Sequence, residues 1–212
     1  MAEVSYETRK SELKTYFDRT AKDKWVALTS NSPVSRIRET VRAGREEMRN
    51  TLLEWLPSDL RGARILDAGC GTGMLAIEAA RRGGSVVAID ISPELVNEAA
   101  SRLPADIDPA MINFCSGDMS DPELGVFDYV VAMDSFIHYP LPSMVGLLNG
   151  FAPRTREKIL FTFAPRTPAL SAMKAVGKFF PRNDRSPAIE PVTEDRLIAT
   201  IDQSMTHSFG FK

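Results

Sequence analysis

The sequence predicts an α/β fold, a mostly parallel twisted sheet with helices on both faces. Two observations carry this. Apolar runs of strand length alternate with helical stretches, as expected of strands buried on both faces. The run Ile65–Met74 (ILDAGCGTGM) sends a buried strand into a glycine-rich loop, and Val86–Asp90 (VVAID) is a second buried strand ending in an acid. In a parallel sheet this pair stands at the carboxyl edge and describes a nucleoside cofactor site. Glycine suits a loop that turns tightly against a ligand, and a terminal carboxylate can accept both hydroxyls of a ribose.

The elements follow in order. Residues 1 to about 60 read as a helical arm. From Arg36 to Leu56 the apolar residues Ile37, Val41, Met48, Leu52 and Trp55 recur at three, four or seven, Asn31-Ser32-Pro33 marks a turn ahead, and Pro57 ends the run. Its Arg36, Arg38, Arg42, Arg45 and Arg49 read as a solvated helix face. Strand one spans Arg64 to Ala68, and a helix follows from Met74 to Arg82, broken by Gly83-Gly84. Strand two spans Ser85 to Asp90. Ser92 and Pro93 then supply an N-cap and a first helical residue for a helix ending near Leu103-Pro104. Strand three is Met111–Cys115, strand four Phe127–Met133, then a helix over Ser143–Gly150 and strand five over Lys158–Phe163. The core is thus 61–163. Residues 164–191, rich in Pro, Arg and Lys, read as a lid over the open sheet edge, and 192–212 as a tail. The whole of 1–212 is expected to be a single domain.

Composition narrows the function. With 212 residues, 43% of them hydrophobic, the chain has room for a full core. A formal net charge of −2 argues against a nucleic-acid partner. The start MAEVSYETRK is polar and carries no signal-peptide pattern, and no apolar run approaches a membrane span. Cys70 and Cys115 are expected to be reduced thiols in a cytoplasmic protein.

The loop spacing selects the cofactor class. A dinucleotide site wants G-x-G-x-x-G facing a pyrophosphate. Here the loop is G-x-G-x-G, preceded by Asp67. An acid at the mouth repels pyrophosphate but suits a cofactor with an ammonium group. The pattern D-x-G-x-G-x-G resembles motif I of the Rossmann-like class I S-adenosylmethionine-dependent methyltransferases. The bland alternative is a similar domain with a dead or different nucleotide site.

Four further stretches narrow the resemblance: YFDRTAKDKW (Tyr16–Trp25), VRAG (Val41–Gly44), DSFIHYP (Asp134–Pro140) and FTFAPRTPALSAMKAVGKFFPRNDRSPAI (Phe161–Ile189). With these the chain resembles the magnesium-protoporphyrin IX O-methyltransferases of chlorophyll and bacteriochlorophyll biosynthesis, from about Tyr16 to about Ile201. The resemblance implies methyl transfer from S-adenosylmethionine to one propionate of a magnesium porphyrin, yielding a methyl ester and S-adenosylhomocysteine. It implies that Gly69, Gly71 and Gly73 shape the loop around the cofactor's methionine portion and that Asp67 meets its amino group. Asp90 would hold the ribose, Ile91 would pack on the adenine, and Asp118 would bond the adenine amino group with Met119 alongside. Arg42 would pair with the cofactor carboxylate, and Tyr16 and Trp25 would cover the cofactor from the arm. His138, just after strand four, is the candidate catalytic and acceptor-site residue. Lys174, Lys178, Arg182 and Arg185 would recognise the second propionate, and Phe179 and Phe180 would meet the macrocycle. His207 is assigned no role, and no resident metal is expected.

Two departures stand out. Thr29 occupies the place where oxygenic members of the family carry a tyrosine, which points to the bacteriochlorophyll branch. The chain also ends at Lys212, before the two further strands that a seven-stranded sheet needs after strand five. That leads one to expect a truncated or rearranged sheet, with an exposed edge, lowered stability or self-association. The resemblance further implies contact with the magnesium chelatase large subunit, and the apolar substrate suggests peripheral contact with photosynthetic membranes. The competing readings are a methyltransferase acting on a quinone or another carboxylate, and a non-catalytic porphyrin-handling partner of the chelatase.

Overall fold

The computed structural model describes residues 5–18, 36–167 and 189–204. Helices α1 (Tyr6–Tyr16) and α2 (Arg36–Glu54) precede the sheet. The core then alternates β1 (Arg64–Ala68), α3 (Met74–Arg81), β2 (Ser85–Asp90), α4 (Pro93–Ser101), β3 (Ile112–Ser116), β4 (Phe127–Ala132), α5 (Leu141–Phe151) and β5 (Thr155–Phe161). Helix α6 (Glu194–Ser204) closes the described chain.

The five strands are ordered β3-β2-β1-β4-β5 and every pairing is parallel. The strand order reverses beside β1, because β2 lies on one side of it and β4 on the other. Such a reversal opens a crevice at the carboxyl ends of the strands, since the two flanking connections leave in opposite directions.

Side-chain alternation divides the core between the two sheet faces. Leu66, Ala68, Val130 and Ala132 pack with α5, with Leu13 of α1 and with Leu197 and Ile201 of α6. Ile65, Val86, Val131 and Leu160 pack with Leu52 and Leu53 of α2 and with α3. Asp67 shares the parity of Ile65 but is the point where the alternation of apolar residues fails, at 2% exposure. Strand β5 begins at Thr155, three residues ahead of the expected Lys158. Its first half is exposed, because it has no strand on its outer side among the described residues, so no apolar run announces it. Ser92 caps α4 by accepting a bond from the Leu95 amide, with Pro93 in the first turn, as expected. The first part of the expected tail forms α6, whose Leu197 and Ile201 are buried. The question of further strands falls on residues 205–212, outside the described residues.

One arginine fixes a loop the site depends on. Arg154, buried at the end of α5, donates to the carbonyls of Met119 (3.1 Å) and Asp121, and lies over the Phe151 ring at 5.1 Å. It clamps the β3–β4 connection, which carries Asp118. Replacement by an apolar residue leaves two carbonyls without their charged donor, at a cost of about 2 kcal/mol. For Arg154→Met, thermal unfolding followed by circular dichroism is expected to show a midpoint lowered by roughly 4–8 °C.

Candidate active site at the carboxyl edge of the sheet

A cavity of about 230 Å³ lies in the crevice beside β1. Its floor is the glycine loop. Gly69, Gly71 and Gly73 all have positive φ, conformations that side chains disfavour. At Gly69 a Cβ would stand 2.4 Å from the Cβ of Ser135, whose hydroxyl donates to the Ala68 carbonyl at 2.8 Å. Glycine here lets the β1 and β4 loops meet. Gly69 and Gly71 line the cavity, whereas Gly73 does not. It faces backwards, 2.8 Å from the Phe114 ring as measured from an added Cβ, and starts α3. Gly73 thus shapes the loop from behind, where it turns into α3.

Three carboxylates stand along the carboxyl edge, in three different states. Asp67 is buried and its Oδ2 has no hydrogen-bond partner. Burial pushes its carboxyl up to about 7; the Ala76 amide pulls the other way and the charge of Asp90 adds to the rise. Asp90, at the tip of β2, accepts from the Gly71 amide (2.9 Å) and the Ser92 amide (2.9 Å). Burial raises it too, opposed by those amides. Asp118 behaves differently. Burial alone would raise it, but bonds from Lys10, Tyr6 and Ser120 outweigh burial and hold it down to about 2.

The arm supplies one wall. Tyr6, Lys10, Leu13 and Phe17 recur on one side of α1 and its end, and all four line the cavity. The Tyr6 hydroxyl donates to Asp118 at 2.6 Å and the Lys10 ammonium at 2.8 Å, while the Tyr6 ring stacks on Tyr139 at 5.1 Å. The expected cavity residue Tyr16 is not on this face. A helix turns about 100° per residue, so Tyr16 points aside and meets Phe17 edge-on at 5.3 Å. Phe17 takes the position expected of it. Asp118 lines the cavity, with its oxygens already engaged by α1 and Ser120, and Met119 and Ile91 line it as well. Arg9, also on α1, pairs with Glu190 at 2.9 Å, and the Glu190 amide donates to the Ile137 carbonyl. The arm and the segment after residue 188 are thereby joined over the site.

The opposite wall corrects the reading of α2. Apart from Arg42, which was also a candidate for the cofactor, its arginines were expected to be solvated, yet Arg42, Arg45 and Arg49 line the cavity, together with Glu46. The side chains of Arg36 and Arg38 lie outside the described residues. Positions 42, 45 and 49 share a helix face, and the next turn anchors that face through Leu52 and Leu53, so the arginines point inward. Arg45 pairs with Asp134 at the end of β4. Asp134 has a φ of 56°, a left-handed conformation that aspartate tolerates better than most residues, and its amide donates to the Thr162 hydroxyl at 2.8 Å.

His138 lines the cavity from the short 3₁₀ turn Phe136–His138 after β4. It is 8% exposed, and its ring meets Phe17 edge-on at 6.2 Å. Trp25, Thr29, Lys174, Lys178, Phe179, Phe180, Arg182, Arg185 and His207 lie outside the described residues. The two ends of the expected lid are described: Pro165 and Val192 form a parallel bridge beside the site. Sequence reasoning passed over Tyr6, Lys10, Arg45 and Asp134. Their spacing was legible, but nothing in it told an inward polar face from an outward one. No helix among the described residues is long and apolar enough to cross a membrane.

Comparison with known proteins bears on this geometry. Residues 132–210 match the model for the magnesium-protoporphyrin IX methyltransferase C-terminus, and 65–157 match that for a methyltransferase domain. The magnesium-protoporphyrin O-methyltransferase of Rhodobacter capsulatus is 48% identical over 193 residues, spanning 91% of this chain and 86% of that protein. The Synechocystis protein of the same name is 29% identical over 81% of this chain and 76% of its own length. The crystal structure of magnesium protoporphyrin IX methyltransferase from Synechocystis with bound SAH superimposes with a TM-score of 0.78 at 27% identity, over 91% of this chain and 86% of that one. The similarity spans the cofactor edge and the segment after β5 alike, and the chain belongs to the magnesium-protoporphyrin O-methyltransferase family.

Proposed function

We propose that the chain transfers a methyl group from S-adenosylmethionine to one propionate of magnesium-protoporphyrin IX, giving the monomethyl ester and S-adenosylhomocysteine. The observation that carries this reading is the 48% identity to the Rhodobacter capsulatus enzyme along 86% of its length. The residues present suit the cofactor. The orphaned Oδ2 of Asp67 is a buried acceptor awaiting a cation, and an amino group fits it. Asp90 keeps lone pairs for two ribose hydroxyls while its amide bonds fix its orientation. Ile91 and Met119 supply apolar contact for the adenine, and Asp118 an acceptor for its amino group once α1 yields a lone pair. Arg42 pairs with the cofactor carboxylate. Trp25 belongs with the arm side of the same site.

When bound, the cofactor supplies an activated methyl on a sulfonium, a good leaving group. A propionate has a pKa of about 4.3 and is already ionised at neutral pH, so no strong base is needed. The work left to the chain is alignment and exclusion of water. His138 hydrogen-bonds the propionate and aims one oxygen at the methyl. Phe17, Leu13 and Tyr139 keep that point dry. Lys174, Lys178 and Arg182 are assigned to the porphyrin's carboxylates and Phe179 to its macrocycle on the resemblance alone. Hand-over of the porphyrin from the chelatase large subunit and peripheral contact with a membrane complete the proposal, on the ground that a free apolar porphyrin aggregates in water.

The direct test is transfer from labelled S-adenosylmethionine to magnesium-protoporphyrin IX, with chromatographic separation of the products. A monomethyl ester is expected; no ester from protein that still binds S-adenosylhomocysteine would overturn the acceptor assignment. Site variants separate the roles. Asp90→Ala is expected to weaken S-adenosylhomocysteine binding by roughly tenfold or more in calorimetry. His138→Ala should lower kcat by roughly tenfold while the KM for the cofactor stays put; an unchanged kcat removes His138 from the site. Asp67 gives a pH signature. An ammonium group binds the ionised carboxylate, and burial keeps Asp67 protonated below about pH 7. Affinity for S-adenosylhomocysteine is therefore expected to rise by about tenfold from pH 6 to pH 7.5, and Asp67→Asn should show weak binding with that dependence gone.

A further inference from the structure

The inward arginines of α2 reach further than the cofactor. Leu52 and Leu53, one turn beyond Arg49, join the apolar cluster on the sheet face that also holds Ile65 and α3. Just past the helix the Trp55 carbonyl accepts from the Lys158 ammonium of β5 at 3.2 Å, and Arg45 pairs with Asp134 after β4. The arginine face therefore stands over β4 and β5, across the reversal point from Asp90 on β2 and Asp118 after β3. The adenosine-binding acids and the arginines occupy opposite sides of the crevice, and His138 follows β4 on the arginine side.

The arginines are not equivalent. Arg45 is committed to Asp134. Among the described residues the ion-pair partner of Arg49 is Glu46, at 3.9 Å, and that side chain is 62% exposed. The Arg49 Nε–H is buried with no acceptor. Burying such a donor is costly unless a ligand completes it. A guanidinium fork fits a carboxylate with two parallel bonds, which a point charge cannot do. Asp67, Asp90 and Asp118 line the cavity on the other side, so the arginines are the main cationic group that an acceptor carrying two carboxylates meets away from Lys10.

We propose that Arg49, with the Arg45–Asp134 pair beside it, binds the propionate of the porphyrin that is not methylated. The inference rests on the acceptor assigned above. The reacting propionate needs one oxygen open towards the methyl, and a fork across both oxygens would draw off the charge that attacks. The second propionate has no such requirement. Held by Arg49, it fixes the rotation of the macrocycle in its plane and so selects which propionate reacts.

The test compares two product-side probes that cannot react at the first propionate: magnesium-protoporphyrin monomethyl ester, which keeps the second carboxylate, and the dimethyl ester, which lacks it. Binding is read by fluorescence with S-adenosylhomocysteine present. The wild-type chain is expected to bind the monomethyl ester roughly tenfold or more tightly than the dimethyl ester. Arg49→Met should bring the two within about twofold, Arg49→Lys should retain part of the difference, and both should keep wild-type affinity for S-adenosylhomocysteine, which also reports an intact fold. Discrimination preserved in Arg49→Met, or absent from the wild type, overturns the proposal. So does a fall in S-adenosylhomocysteine affinity in both variants, which would place Arg49 on the cofactor carboxylate. A variant that loses only the preference for the diacid over the monomethyl ester would put Arg49 on the reacting propionate, and overturns it as well. Failure of the wild type to form any monomethyl ester in the transfer assay is a separate result and strikes the acceptor assignment itself.

Discussion

The site is organised around a carboxylate that the fold leaves incomplete. Asp67 is buried where the strand order reverses, with one oxygen unpartnered. Its burial raises its carboxyl to about 7, against about 3.9 for an exposed aspartate. Between those values the unfolded chain releases the proton first while the folded chain holds it. The contribution of Asp67 to stability therefore falls as pH rises from about 4 to about 7 and is level above that. A cationic ligand reverses the loss by making the ionised form the favoured one. Around it the loop is held in place: glycine at position 69 lets the β1 and β4 loops meet, and the Gly71 amide ties the loop to Asp90.

The rest of the crevice reads as two half-sites of opposite charge. On the β2–β3 side stand Asp90 and Asp118, suited to hydroxyl and amino donors. On the β4–β5 side stand Arg45 and Arg49, suited to carboxylates. A reaction joining a cation-bearing methyl donor to an anionic acceptor needs both in one enclosure, and the wall of α1 closes it. Lys10 and Tyr6 spend their donors on Asp118, so α1 is tied to the β2–β3 side, while Arg9 ties the same helix to Glu190. The arm and the chain returning from residue 188 thus close over the site together.

Much of this was legible in the residues. β1 and β2 begin and end where the apolar runs do, because central strands are buried on both faces and have no reason to vary. β5 extended further than its apolar run, since an edge strand exposes its first half. Asp67, Asp90 and the glycine loop were legible because their chemistry forces residue type and spacing together. The arginine face of α2 was not. A run of arginines at helical spacing looks the same whether it meets water or a ligand, and only the packing of Leu52 and Leu53 into the core decides which. The phase of α1, which puts Phe17 rather than Tyr16 on the cavity wall, and the packing of Gly73 against Phe114 were not legible, because both depend on how the helices meet the loop.

The account stands or falls on whether the incomplete carboxylate is reserved for a cation. The most direct measurement is a carboxyl-carbon NMR titration of Asp67, made on the ligand-free chain and again with S-adenosylhomocysteine bound. The account predicts titration near pH 7 in the free chain and a shift well below that with the ligand present, as the amino group stabilises the ionised form. An ordinary aspartate titration in the free chain, or one that the ligand leaves unmoved, would contradict it.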